Sequence, residues 1–149
     1  MEYTQGKTGR VFVARLHEDE NIYEEVNKIC VREAIRYAYV QAMGAIKNAD
    51  GSDKHELVGL GTVVPDANKP VLHFHAGIGS DVDSYVGHPN PNIKVHLNME
   101  VLLTELVGMD MARVYEPEVG SKTLTILGKG TDYSERSNEM KGSFSKSYK

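Results

Sequence analysis

The sequence predicts a single α+β domain in which a largely antiparallel β-sheet accompanies one principal α-helix. Three observations lead to this fold class. Residues 22–36 carry apolar side chains at helical spacing. Much of the remaining chain up to residue 128 divides into short apolar segments separated by Gly, Pro, Asn and Asp. Residues 93–101 alternate polar and apolar side chains, which is typical of a strand with one face on a core.

The two ends of the chain are expected to lie outside the folded part. Residues 1–9 are polar and contain glycine, so they are predicted to be a flexible N-terminus. Residues 129–149 include Lys, Ser, Gly and Glu and contain almost nothing to bury, so this polar tail is predicted to be disordered. The predicted domain therefore spans residues 10–128, and its first strand covers residues 10–16.

The helix has a recognisable start. Asn21 is the predicted N-cap, with Glu24 three residues later, and the acidic first turn suits the helix dipole. The helix is predicted to run over residues 22–36. Cys30 falls on its apolar side and is predicted to be a small core residue rather than a nucleophile.

The strands follow the helix in order along the chain. They are predicted at residues 37–46, 55–64, 71–79, 84–86, 93–101, 111–115 and 123–127, with loops at 65–70 and 89–92. Gly44 inside the first of these strands indicates a bulge or a close backbone approach. In the segment 93–101, the residues predicted to face the core are Val95, Leu97, Met99 and Val101. The opposite, polar face is formed by Lys94, His96, Asn98 and Glu100.

Composition excludes several classes of protein. The 149 residues include 17 Lys and Arg and 21 Asp and Glu, so the net charge of −4 argues against a core that wraps nucleic acid. Cys30 is the single cysteine, which excludes an internal disulfide and a CxxC zinc cage. No stretch approaches the roughly 20 apolar residues of a membrane span, and no signal peptide is visible, so a cytoplasmic location without a membrane partner is expected.

One short motif points to chemistry. On a strand over residues 72–76, His73 and His75 project from the same face, with their roots about 6.5–7 Å apart. His88 follows Gly87 at the end of the next short strand and returns towards the pair if the two strands form a hairpin. Three neutral imidazoles with an open fourth position are typical of a catalytic zinc site. The alternative is that these histidines lie on a solvated strand face without a ligand.

Other candidate residues have plainer explanations. Glu100 is a candidate further ligand or general base, although a solvated glutamate on a polar strand face is the alternative. His96 shares that face, while His17 and His55 are predicted to be surface residues. The sequence contains no GxSxG, P-loop, GxGxxG or HExxH motif, so no catalytic residue, cofactor or reaction is assigned from such a pattern.

Several short motifs together resemble a known family. In order they are Arg10-Val-Phe-Val-Ala-Arg-Leu, an acidic helix cap, Ala42-Met-Gly-Ala-Ile, His73-Phe-His75, Val86-Gly-His88 and Met99-Glu100-Val-Leu-Leu. Their order and spacing resemble the PPC domain (domain of unknown function 296), which prokaryotes share with plant AT-hook proteins. The resemblance covers about residues 10–127. It implies a curved, mainly antiparallel sheet packed with a helix, and assembly as a homotrimer.

The resemblance also implies a metal site. The histidines of the family pattern match His73, His75 and His88, with zinc or another divalent transition metal as the ion, and a glutamate of the following strand matches Glu100. Val86 departs from the pattern, because the family has Gly-Gly-His at this point. Residues 89–92 lengthen the turn before the next long strand, and the polar tail extends beyond the usual end.

Three functions follow as hypotheses. The first is a homotrimeric metal-binding protein with a three-histidine site and an unknown substrate or partner. The second is a DNA-associated regulatory protein, because prokaryotic members are often described as DNA-binding. Against it, the sequence lacks the Arg-Gly-Arg-Pro segment of an AT-hook, and residues 1–128 hold 12 Lys and Arg against 18 Asp and Glu, hence −6. The third is a protein-interaction scaffold without catalysis.

Overall fold

The computed structural model describes residues 1–129; the predicted tail beyond Lys129 lies outside the described residues. The elements are β1 (Lys7–His17), α1 (Ile22–Arg32), β2 (Ala38–Lys47), β3 (His55–Asp66), β4 (Lys69–Gly79), β5 (Ser84–Gly87), β6 (Lys94–Val107), β7 (Met109–Glu116) and β8 (Ser121–Lys129). Strands β1-β6-β2-β3-β4-β5 form a six-stranded sheet in that order, and β7-β8 form a separate hairpin. All neighbouring pairs are antiparallel, so the predicted α+β class is confirmed.

The helix begins where it was predicted to begin and ends four residues earlier. Asn21 is the N-cap, and its side chain accepts hydrogen bonds from the backbone N–H groups of Tyr23 and Glu24. The helix stops because Ala34 adopts a positive φ of 54°. The N–H of Ile35 then donates to Cys30 O at 2.8 Å, and that of Ala34 to Val31 O at 3.3 Å. This is a Schellman closure without its usual glycine.

The strands extend further than the sequence predicts. Lys7 already pairs with Val107 across β1 and β6, so the sheet starts before residue 10. The predicted loop at 65–70 is wrong, because only Ala67 and Asn68 lie outside the ladder. Their φ values of 47° and 69° are those of a two-residue hairpin turn of the type that matches strand twist.

A bulge in β6 changes which side chains face the core. The predicted irregularity at Gly44 is confirmed, because the register between β2 and β6 shifts between Gly44 and Ala45. Opposite this shift, Leu97 has a φ of 66° and its side chain is 67% exposed. The prediction that Leu97 faces the core is therefore wrong, whereas Val95, Met99 and Val101 are buried as predicted.

The core lies between one face of the sheet and the helix. Cys30 is fully buried in it, as predicted, beside large side chains such as Phe74, Leu57 and Leu103. Among residues 1–129, no helix combines the length and the apolar character needed to cross a bilayer.

The opposite face of the sheet is covered at one end by the β7-β8 hairpin. There Met111 packs with Tyr37 and Val64 in a second, smaller apolar cluster. Beyond the hairpin, the register places a group of exposed apolar side chains on this same face. We call them the open apolar face: Val11, Val13, Met43, Val58, Leu60, Val86 and Leu102.

Candidate metal centre

The two histidines of β4 project from the face that the helix does not cover. Their neighbours Leu72, Phe74 and Ala76 are buried, as the strand alternation predicts. The antiparallel pairing of β5 with β4 sets Gly87 opposite Ala76. The next residue, His88, is thereby brought alongside the β4 histidines, as the hairpin hypothesis required.

The three imidazole rings converge at one point. His73 Nε2 lies 3.0 Å from His75 Nε2 and 3.4 Å from His88 Nε2. The ring centroids of His75 and His88 are 3.9 Å apart. In a tetrahedral site with Zn–N bonds of about 2.0–2.1 Å, two ligand nitrogens stand about 3.4 Å apart. The donor set and its spacing therefore fit a zinc-sized ion.

The electrostatics around His73 favour its neutral imidazole. The pKa of His73 is lowered from its ordinary value, first by burial and then by the charges of Arg113, His88 and His75. A neutral imidazole is the form that binds a metal ion. His73 is half-buried while His75 and His88 are exposed, so one side of the cluster is open to a further ligand.

Two glycines of β3 make room for the part of β4 that carries the histidines. A Cβ at Gly59 would come within 2.5 Å of Phe74 Cζ, and one at Gly61 within 2.3 Å of His73 O. The glycines therefore leave room for the Phe74 ring, which fixes the residues on either side of it. The sequence alone assigned these two glycines no role.

The segment after His88 is tied to the start of the helix. Tyr23 Oη donates to Pro89 O at 3.2 Å. Asn21 Nδ2 donates to Pro91 O at 2.8 Å and to Ile93 O at 2.9 Å. The lengthened turn over residues 89–92 is thus held in place by the helix N-terminus, which helps to position His88.

Glu100 lies apart from the histidines. Three strand intervals separate β6 from β4, and at about 4.8 Å each they amount to about 14 Å. Within the described residues, the group of donors within 4.8 Å of one another contains His73, His75 and His88 and not Glu100. Glu100 instead lines a cavity of about 740 Å³ on the open apolar face, with His75 also in its lining.

The remaining histidines lie elsewhere. His17 is exposed. His55 Nδ1 lies 2.9 Å from Asp53 O, and its Nε2 lies 3.3 Å from Asp83 Oδ1. His96 Nδ1 lies 3.4 Å from a carboxylate oxygen of Glu18 at the strand end.

Arg113 is the residue near this site that the sequence did not point to. It lies in β7, and its Nη2 donates to Thr62 Oγ1 at 3.1 Å. Thr62 is the cross-strand partner of His73, so the hairpin brings a guanidinium to the row that holds a histidine. The one available signal was an arginine within an otherwise mostly apolar strand.

Fold and site together define an α+β domain with one helix on a six-stranded antiparallel sheet and three histidines clustered near its edge. The Plants and Prokaryotes Conserved (PCC) domain matches residues 3–107, and the chain belongs to that family. The resemblance seen in the sequence motifs is thereby confirmed.

Solved structures share this fold. A plant- and prokaryote-conserved protein of Pyrococcus horikoshii is 21% identical, with a TM-score of 0.74 over 86% of this chain and 99% of its own. A metal-containing protein of Archaeoglobus fulgidus is 20% identical, with a TM-score of 0.73 over 84% and 99%. A candidate DNA-binding protein of Ralstonia eutropha is 16% identical, with a TM-score of 0.63 over 76% and 90%. No curated protein matches the sequence.

Proposed function

We propose that this chain is a metal-binding PCC-domain protein in which His73, His75 and His88 hold one zinc ion or another divalent transition metal. The observation that carries the proposal is the convergence of three imidazole rings on one point. The metal-containing protein of Archaeoglobus fulgidus, which shares the fold, adds support. The proposal leaves Glu100 out of the ligand set because of its distance from β4.

A zinc ion held by three imidazoles supplies Lewis-acid chemistry at its open position. The residues of the chain prepare that position. Phe74 and the glycines beneath it hold His73 and His75 on one face, and Tyr23 steadies the segment after His88. In the single chain His75 and His88 are exposed, so the site is open to a small molecule from solvent. The site identifies no reaction.

The test is elemental analysis of untagged protein purified without chelator, followed by zinc titration of the metal-free chain. We expect about one zinc per chain, and loss of that zinc in His73→Ala/His75→Ala. His17→Ala, an exposed histidine outside the cluster, is the matched control and keeps its metal. Circular dichroism verifies that each variant is folded. Stoichiometric zinc in the double variant, or no zinc in the unmodified chain, contradicts the proposal.

We infer further that the open apolar face is covered by other copies of the chain in a homotrimer. Val13 and Val58 on this face are 78% and 71% exposed. Contiguous apolar surface of this kind is uncommon on a monomer and marks an interaction site. Apolar surface on another copy of the chain would cover this face, and the family resemblance implies three subunits.

The test of assembly is the mass in solution by light scattering. We expect a trimer for the unmodified chain and a monomer for Val58→Asp. Val82→Asp alters a 92% exposed valine in the turn before β5, away from the face, and remains trimeric. A monomeric unmodified chain, or a trimeric Val58→Asp variant, contradicts the inference.

DNA association is the second candidate function. Two proteins that share the fold, from Ralstonia eutropha and Bacteroides thetaiotaomicron, are described as candidate DNA-binding proteins. The charge of −6 over residues 1–128 opposes it, since binding to duplex DNA depends on phosphate contacts. Failure to shift an AT-rich duplex at about 50 mM salt excludes this function. If the chain shifts no duplex and also binds no metal, the hypothesis that remains is a protein-interaction scaffold.

A further inference from the structure

Arg113 is a partly buried cation that contacts Thr62, the cross-strand partner of His73. Its Nε is inaccessible to solvent and has no hydrogen-bond partner within residues 1–129. Thr62 Oγ1 accepts from its Nη2. No carboxylate of the described residues forms an ion pair with Arg113, although other arginines of the chain, such as Arg10 and Arg36, do form them.

A guanidinium drawn out of water without a counter-ion costs free energy. That cost is expressed in the pKa of Arg113, which burial lowers from its ordinary value. Thr62, which accepts a hydrogen bond from Arg113, pairs with His73 across β3 and β4. Because a divalent cation at the histidines would be repelled by this guanidinium, Arg113 does not help the metal to bind. An anion placed between the two charges would stabilise both.

We propose that Arg113 and the open ligand position of the three-histidine site together bind a small oxyanion, a carboxylate or a phosphate group. This inference rests on the metal-binding function proposed above. One oxygen of the group would occupy the open position, and the guanidinium would donate to a second oxygen. The planar guanidinium carries several N–H donors in a fixed fork, so it can donate to Thr62 and to the anion at the same time. Thr62 orients the guanidinium from the strand that pairs with the one carrying His73.

Arg113 lies in the β7-β8 hairpin, which packs on the sheet through several contacts of its own. The PCC match ends at residue 107, and Arg113 lies beyond it in β7. The hairpin is docked by Met111 against Tyr37 and Val64, and at its far strand Lys122 pairs with Asp66 at 2.6 Å. Arg113 is therefore held by several contacts besides its own hydrogen bond.

The test uses the metal-loaded full chain and two probes, acetate and inorganic phosphate. Cobalt(II) substituted at the histidines reports anion binding through its visible absorption, and calorimetry of the zinc form gives the affinity. We expect one of the probes to bind. Arg113→Gln weakens it at least about tenfold, since charge-assisted hydrogen bonds are the strong ones. Arg113→Lys keeps the charge and is intermediate, and Arg15→Gln, an exposed arginine of β1, is unchanged.

The affinity for zinc distinguishes a failure of the oxyanion proposal from a failure of the metal-binding function on which it rests. Zinc binding is measured first, without added oxyanion, and Arg113→Gln should bind zinc at least as tightly as the unmodified chain because a repelling charge is gone. A chain that binds no zinc contradicts the metal-binding function. The role of Arg113 is refuted if the zinc-loaded chain binds neither probe, or if the Arg113→Gln variant binds a probe as tightly as the unmodified chain does. The metal-binding function is not affected by either result. The tighter of the two probes identifies the class of oxyanion.

Discussion

Asn21 and Ile93 are joined by a 2.9 Å hydrogen bond from Asn21 Nδ2 to the backbone carbonyl of Ile93, although 72 positions separate them. The other end of the same amide accepts from the N–H groups of Tyr23 at 2.8 Å and Glu24 at 3.2 Å. One side chain that is 3% exposed thus caps the helix and fixes the approach to β6.

Removing the Asn21 amide should be costly. Asn21→Ala loses both the cap and the two donors to the loop, and we expect the free energy of unfolding to fall by about 2–4 kcal/mol. Asn21→Ser retains a capping oxygen and should lose about half as much. Urea unfolding measures both. The exposed Asn92→Ala is the control, expected within about 0.5 kcal/mol, and an equal cost for Asn21→Ala and Asn92→Ala contradicts the assignment.

Arg10 and Glu105 form a partly buried ion pair between β1 and β6. The side chain of Glu105 is 3% exposed and accepts from Arg10 Nε at 2.8 Å and from Nη2 at 3.0 Å. Arg10→Met withdraws the guanidinium from a buried carboxylate, so we expect a loss of about 2–4 kcal/mol. Arg10→Met/Glu105→Leu should recover part of that loss, because the buried charge is then gone as well. Additive costs in this double-mutant cycle disprove the coupling.

The thiol of Cys30 should be inert in the folded chain. Burial raises the pKa of Cys30 to about 12, so the thiol stays protonated at pH 8. A thiolate is required for attack on a disulfide reagent. We expect Ellman's reagent to leave native protein unlabelled at pH 8 and to label one thiol per chain in unfolding concentrations of urea. Rapid labelling without urea shows that the helix does not protect this residue.

Glu18 should make the protein sensitive to acid. The pKa of Glu18 is lowered from 4.5 to about 2 by hydrogen bonds from Lys47 and the N–H of Leu97. Because the folded pKa is below the unfolded one, the stabilisation is present above about pH 4.5 and is lost as the pH falls towards about 2. Glu18→Gln should flatten this part of the curve of melting temperature against pH. A Glu18→Gln profile that matches that of the unmodified chain refutes the prediction.

Local rules predicted the parts of the fold that depend on near neighbours. Asn21 is recognisable as a cap because a short polar side chain precedes an apolar repeat. His73 and His75 share a face because a strand alternates, and Gly44 marks the bulge because it lacks a side chain.

One unusual backbone conformation and several contacts between distant segments account for what the sequence could not predict. Helix α1 stops early because Ala34 takes the conformation that glycine usually adopts, and no glycine signals it. Leu97 turns outward because the bulge opposite Gly44 changes the register. Arg113 meets Thr62, the cross-strand partner of His73, because the β7-β8 hairpin folds over the sheet. That packing depends on Tyr37 and Val64, which are far from it in the chain.

The three histidines of the cluster lie within one continuous stretch, residues 73–88, so one short coding segment specifies all of them. Such a segment can be transferred to another protein, but it cannot form the histidine cluster by itself. The Phe74 ring requires the bare backbone of Gly59 and Gly61 beneath it. A segment that forms the cluster in another antiparallel sheet therefore has to begin at β3. Relatives that retain the three histidines should also retain the two glycines.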